Sequence, residues 1–162
     1  MQREMRRQDR HATDPEVIAK VLDQCQTLHL GLVDEGRAYI VPLNYGWLEE
    51  NGHYTLYAHS AGEGRKVDLI APGAEVGFEM ECGIEYFSAE TACGWGNHFQ
   101  SIIGEGHASL VTDAEEKRAG LTALMAHYAK RTDLVFDDAL VDRVQVIKID
   151  VTALSCKDNA RK

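Results

Sequence analysis

The stretch LHLGLVDEGRAYIVPLNYGWLEENGHYTLYAHS, Leu28 to Ser60, decides the fold. Within it LHLGLV, RAYIVPLNYGW and HYTLYAHS are rich in β-branched and aromatic residues, and Asp34-Glu35-Gly36 and Asn51-Gly52 separate them. Asn-Gly favours the tight hairpin turn whose twist matches the strands it joins. The spacing therefore predicts three sequential antiparallel strands, a meander.

Working outward, Thr13-Asp14-Pro15-Glu16 supplies cap residues, an early proline and an acidic first turn. Val17, Ile18, Val21, Leu22 and Cys25 follow on one helical face. Downstream, AEVGFEMEC alternates as a half-exposed strand, with Val76, Phe78 and Met80 opposite Glu75, Glu79 and Glu81. The segment 82–98, CGIEYFSAETACGWGNH, has no sustained period and is expected to be a long connection. FQSIIGEGHASLV returns to strand character, with glycines that permit a bulge. Thr112-Asp113-Ala114-Glu115-Glu116 opens a helix carrying Leu121, Leu124, Met125 and Tyr128, and VQVIKIDV forms a last strand. The expected architecture is mainly β: a six-stranded antiparallel barrel with helices packed outside it, one domain spanning residues 1–162. Residues 1–12 form a basic arm (Arg3, Arg6, Arg7, Arg10) that reads either as a solvated tail or as a segment packed in part, or against a partner subunit.

Composition narrows the function classes. The chain carries 26 Asp plus Glu against 17 Lys plus Arg, a formal net charge of -9, which repels phosphate backbones and excludes nucleic acid as a partner of the whole molecule. No apolar run reaches the length of a membrane span, so no membrane partner is expected. MQREMRRQDR lacks the apolar core of a secretory signal, so the expected compartment is the cytoplasm, with the four cysteines as thiols. Cys82, Cys93, His98 and His107 lie close in sequence but include no CxxC or HxxxH pair, which argues against a metal cluster. Gly104-Glu105-Gly106 lacks the third glycine of a dinucleotide fingerprint and precedes strand-like sequence.

The chemistry concentrates in HSAGEGRK, His59 to Lys66, where a strand breaks into glycines and then two adjacent cations. A strand that turns into a helix through such a loop exposes backbone N–H groups where anions gather. Ser60, Arg65 and Lys66 would complete a phosphate cage, the guanidinium donating a planar fork and the ammonium a mobile point charge. The bland reading is a solvated pair of cations, electrostatically mismatched with a helix start. His59 shares a face with Thr55 and Tyr57 and either touches a ligand or simply hydrogen-bonds its surroundings. Pro42-Leu43-Asn44-Tyr45 lies one strand earlier; a proline there marks an edge or bulge whose free main-chain groups suit a flat heteroaromatic ring. Trp95, between Gly94 and Gly96, would cover such a ring or be an ordinary core aromatic.

MRRQDR, CQTLHLGLVDEGRAYIVPLNYGW, LYAHSAGEGRKVDLI and FQSIIGEGHASLVTDAEEKRAGLTALMAHY together resemble the nitroimidazole-resistance (Nim) proteins, a group of the pyridoxamine 5'-phosphate oxidase-like flavin-binding split barrels. The HSAxxGRK and PLNYG strings are the specific part of the likeness. The resemblance implies a homodimer binding flavin mononucleotide (FMN) in a groove between subunits. Ser60, Arg65 and Lys66 would meet its phosphate, and Pro42, Leu43, Asn44 and Tyr45 the flavin ring. His59 would lie near the reactive face, as a catalytic residue or as pocket lining. It also implies reduction of small nitroaromatic molecules such as 5-nitroimidazoles, with a reduced nicotinamide as the expected electron donor. Ser155-Cys156-Lys157 stands where many relatives carry Gly-Lys, and no Arg-rich substrate motif follows Val151, so pyridoxamine phosphate oxidation itself is not expected. The alternatives are a non-enzymatic flavin or haem binder, with His59 or His107 as an iron ligand, and a domain that uses the loop for protein contacts.

Overall fold

The run RAYIVPLNYGW, read above as one strand, is two strands that pair with different neighbours. The computed structural model describes residues 5–160, so the first four residues, including Arg3 of the basic arm, lie outside the described residues. The elements are β1 (His11–Ala12), α1 (Pro15–Gln24), β2 (Leu28–Asp34), β3 (Arg37–Leu43), β4 (Tyr45–Glu50), β5 (His53–Ser60) and α2 (Arg65–Ile70), then β6 (Ala74–Phe87), β7 (Gly96–Val111), α3 (Ala114–Ala129), α4 (Asp138–Arg143) and β8 (Gln145–Asn159). One antiparallel sheet runs in the order β3-β2-β6-β7-β8-β5-β4, with β1 attached to β8. Its two end strands, β3 and β4, are consecutive in sequence and separated only by Asn44. The sheet therefore curls into a split barrel whose open seam is bridged by the chain itself. Pro42 falls on the seam strand β3, where a missing N–H costs no second ladder.

The inward faces are those the alternation marked. Val76, Phe78 and Met80 are buried, as are Leu28, Leu30, Leu56, Ile102, Ile147 and Ile149. Each fully buried Leu or Ile contributes about 1.5–3 kcal/mol relative to exposure. Helix α1 is capped by Asp14, whose carboxylate accepts from the Glu16 amide at 2.9 Å, and it inserts Val21 and Leu22 into this core. The basic arm is partly ordered on its own chain: Arg7 pairs with Asp9, and His11 and Ala12 pair with Lys157 and Cys156.

Eight strands replace the expected six for two reasons. Asn44 divides one run, and β1 adds a two-residue strand. The 82–98 segment is also not a loose connection. After a register shift between Cys82 and Glu85, β6 and β7 continue as a hairpin arm through Glu85↔His98 to Phe87↔Gly96. Both faces of that arm are largely solvated, so no burial alternation exists to betray it as strand.

Helix α3 lies on the outer side of β4 and β5, and its buried face coincides only in part with the apolar residues of the sequence. Gly120, Ala123, Leu124, Lys117 and His127 face inward, whereas Leu121, Met125 and Tyr128 are only partly covered. Small residues bring the helix close: a methyl group at Gly46 would lie 2.3 Å from the Ala123 carbonyl carbon and the Leu124 amide nitrogen. One at Gly120 would lie 2.7 Å from the Tyr57 ring. Because the obstacle at Gly46 is helix backbone, Gly46→Ala is expected to destabilise the protein by about 3 kcal/mol, the upper end of overpacking effects. Gly62→Ala, whose nearest non-neighbour atom is 4.0 Å away, should change stability by less than about 0.5 kcal/mol. Urea unfolding of the two variants checks the contrast; equal midpoints would mean that α3 does not sit at this distance.

Candidate functional site

Strand β5 ends at Ser60, and the loop 61–64 turns into α2 through Gly64, whose φ of +126° is a conformation that favours glycine. The Gly64 carbonyl accepts from the amides of Val67 and Asp68, which opens the helix and leaves the first helical N–H groups facing the loop. Ser60 is 6% exposed, and its Oγ has no hydrogen-bond partner among the described residues. A buried hydroxyl without a partner costs on the order of 1–3 kcal/mol, so an acceptor at this position would be stabilising.

The two cations differ. Arg65 donates from Nε and Nη2 to Asp34 Oδ2, each at 2.7 Å, and its guanidinium stacks 4.3 Å over the Tyr39 ring. The α2 start is thereby tied to β2 and β3 across the barrel seam. Lys66 makes no hydrogen bond or ion pair among the described residues. The set of an unsatisfied buried hydroxyl, a free ammonium and a guanidinium fixed on one side fits a phosphate monoester better than a carboxylate, which offers fewer oxygens.

Pro42, Leu43, Asn44 and Tyr45 meet this loop from the side. Tyr45 is opposite Ala58 in the β4–β5 register, so Asn44 lies beside His59, and both are exposed. Leu43 is buried and Pro42 exposed. His59 points outward with Tyr57, as the alternation predicts, but Tyr57 is covered by α3 and His59 is not. Tyr45 differs from its expected role. Its N–H donates to Tyr128 Oη at 3.2 Å, its carbonyl pairs with His127 Nδ1 at 2.7 Å, and its hydroxyl donates to the Leu22 carbonyl. Every polar group of Tyr45 is engaged in packing, leaving none of its main chain for a ring; burial also pushes its phenol pKa up. Within the quartet, the open main chain lies at Pro42 to Asn44.

Trp95 does not join these residues within one chain. Ser60 lies across β8 from the Val111 end of β7, whereas Trp95 precedes Gly96 at the other end. A 16-residue strand separates them, on the order of 50 Å of chain. Nor is Trp95 a core aromatic: it is 62% exposed, with its indole N–H on the Ala89 carbonyl at 3.1 Å. His107 pairs with Glu75 on the outer face at 3.0 Å. Cysteine chemistry is disfavoured near the core, since burial pushes the Cys25 and Cys82 thiols up and that of Cys156 up to about 11. Sequence reading missed Asp34 and Tyr39, which hold Arg65; their only signal was position, flanking the first hairpin turn.

With this geometry in view, comparison with known proteins identifies the class. The family model for pyridoxamine 5'-phosphate oxidase matches residues 14–158, and the chain belongs to that family of split barrels. Among solved structures it is similar to a candidate 5-nitroimidazole antibiotic resistance protein from Bacteroides thetaiotaomicron, at 29% identity over 91% of this chain and 85% of that one, with a TM-score of 0.76. The flavocytochrome Anf3 from Azotobacter vinelandii shares the fold at 17% identity and a TM-score of 0.76, over 98% of this chain and 73% of that one. An FAD and heme binding protein from Mycobacterium smegmatis does so at 16% identity and a TM-score of 0.77, over 93% and 73%. No match to a curated protein was found. Among the described residues no helix is long and apolar enough to cross a membrane.

The unpartnered hydroxyl gives a direct test. Ser60→Ala in the ligand-free protein should leave stability unchanged or raise it by about 1 kcal/mol, because a buried polar group without an acceptor is removed. A loss of more than 1 kcal/mol in thermal or urea unfolding would show that Ser60 has an internal partner.

Proposed function

We propose that the chain is a flavoprotein that holds FMN and reduces small nitroaromatic compounds with electrons from a reduced nicotinamide. The observation that carries this reading is the buried, unpartnered Ser60 hydroxyl at the mouth of a glycine loop followed by Arg65 and Lys66. In it Ser60 Oγ donates to a phosphate oxygen, Lys66 neutralises charge, and Arg65 offers its remaining donors while Asp34 and Tyr39 fix its plane. The seam stretch from Pro42 to Asn44, exposed at Pro42 and Asn44, ends beside His59. His59, exposed and outside any helix cover, can hydrogen-bond or donate a proton at the ring's open side. Bound flavin supplies the electron transfer itself, and the protein contributes binding and orientation. The likeness to the Bacteroides protein favours a nitroimidazole as acceptor.

The same proposal includes a homodimer. Helix α3 covers mainly the β4–β5 side of the barrel, while the outer face of β3, β2, β6 and β7 exposes Val33, Ile40 and Ile103. Burying that face against a second copy would also allow the arm of the partner, with its Trp95, to approach a flavin that one subunit cannot cover alone. Cytoplasmic residence fits the free thiols.

The purified protein should be yellow, bleach with a reduced nicotinamide and regain colour with a 5-nitroimidazole. Bleaching without reoxidation by any nitro compound would overturn the substrate assignment. A Soret band in place of a flavin spectrum, lost in His59→Ala, would favour a haem carrier, and a colourless protein whose melting temperature ignores FMN would overturn cofactor binding. Arg65→Ala with Lys66→Ala should weaken FMN at least 10-fold, since a hydrogen bond to a charged group contributes about 1.5–3 kcal/mol. Light scattering should give a dimer mass for the wild type and a monomer mass for Ile103→Glu; a monomeric wild type would overturn the dimer.

A further inference from the structure

Helix α4 and the start of β8 lie beside the cofactor loop, and no sequence signal singled them out. Ser60 is directly opposite Gln145 in the β5–β8 register, so residues 143–145 run alongside residues 60–62. A methyl group at Gly62 would meet the Arg143 carbonyl oxygen at 4.0 Å, which places the last turn of α4 against the loop. Arg143 itself is exposed and makes no hydrogen bond or ion pair among the described residues.

The usual reason for an arginine in a last helical turn is to complement free carbonyls there. That role is already filled. Lys117 of α3, 8% exposed, donates from Nζ to the carbonyls of Val141 at 3.3 Å and Val144 at 3.0 Å. A buried lysine with carbonyl partners and no carboxylate is uncommon. Its effect is mechanical: it fastens the end of α4 to α3 and fixes where Arg143 leaves the backbone. Asp137 caps the other end of α4 through the Leu140 amide at 3.2 Å. The short helix is thus held at both ends beside a loop that follows directly on the unsatisfied buried hydroxyl of Ser60.

We infer that Arg143 is a third cation of the phosphate site, reaching the same anion as Ser60, Arg65 and Lys66 from the opposite side of the loop. The inference rests on the proposed FMN reading and adds a residue to it. Electrostatic need supports it. Arg65 shares its charge with Asp34, and the exposed Glu63 of the loop offsets Lys66, whereas a phosphate monoester carries close to two negative charges at neutral pH. A guanidinium with all its donors free supplies positive charge that these residues lack.

The test compares FMN with riboflavin, which lacks the phosphate, by fluorescence titration of the full-length wild type, Arg65→Ala and Arg143→Gln. The ratio of riboflavin to FMN dissociation constants isolates the phosphate contribution from any general effect on the ring pocket. Arg143→Gln is expected to lower that ratio about 10-fold, with riboflavin affinity and the melting temperature of the ligand-free protein unchanged. Arg143→Lys should restore most of the ratio, because the charge is kept. An Arg143→Gln ratio equal to wild type, while Arg65→Ala lowers it, would overturn the role of Arg143 and leave the FMN site standing. A wild type that binds neither flavin would instead overturn the cofactor reading on which the inference rests.

Discussion

Everything at the site depends on Asn44, the single residue that carries the chain from one end of the sheet to the other. β3 and β4 sit at opposite ends of the hydrogen-bonded order yet are covalent neighbours, so the sheet must curl until its ends meet. Closure by a chain crossing rather than by a ladder leaves the seam side of β3 outside any ladder, while on β4 the main chain of Tyr45 is taken up by α3. The same crossing brings Asn44 beside His59 and the end of β5. A ladder between β3 and β4 would have consumed the donors and acceptors that a flat ligand needs.

Tyr45 is the peg that makes the crossing rigid. It is fully buried one residue after Asn44, and its three polar groups are satisfied by α1 and α3: the Leu22 carbonyl, the Tyr128 hydroxyl and His127. Leaving any of them without a partner would cost on the order of 1–3 kcal/mol, so the network holds the helices to the seam as well as the seam to the helices. Gly46 follows immediately and lets α3 approach within backbone contact. Polar satisfaction and close approach thus act on adjacent residues, fixing the helix on one side of the barrel and leaving the other side bare.

How much of this was legible follows from which residues carry a periodic signal. The inward residues Val76, Phe78 and Met80 and the helix openings at Asp14 and Asp113 were read correctly because burial and capping leave local patterns. The division of RAYIVPLNYGW was not, since nothing local distinguishes a strand that keeps its partner from one that changes partner at Asn44. Of the apolar residues read on α3, Leu124 is buried, but the rest of the buried face was not visible for a related reason. Contact through Gly120 and Ala123 rewards small size, and a hydrophobic stripe counts only large apolar side chains. The arm at 82–98 gave no alternation because neither of its faces is core. At the site, the motif residues Ser60, Arg65 and Lys66 were visible, but Asp34, Tyr39 and Arg143 reach the loop only through tertiary register. Trp95 was placed by glycine spacing alone, which says nothing of the strand that holds it far from Ser60.

The charge balance explains why such a site can exist on an acidic chain. At physiological ionic strength charges farther than about 8 Å are largely screened, so the net charge of -9 governs encounters with polyanions but not the potential inside a short loop. There the balance is set by Arg65 against Asp34, by Lys66 against Glu63, and by Arg143 alongside Gly62. A polymer of phosphates must bring its neighbouring charges against Glu and Asp on the surrounding surface, whereas a single phosphate on an uncharged ring brings none. Under the proposed reading, an acidic exterior with a few local cations would favour a mononucleotide over a nucleic acid, without any contact made to do so.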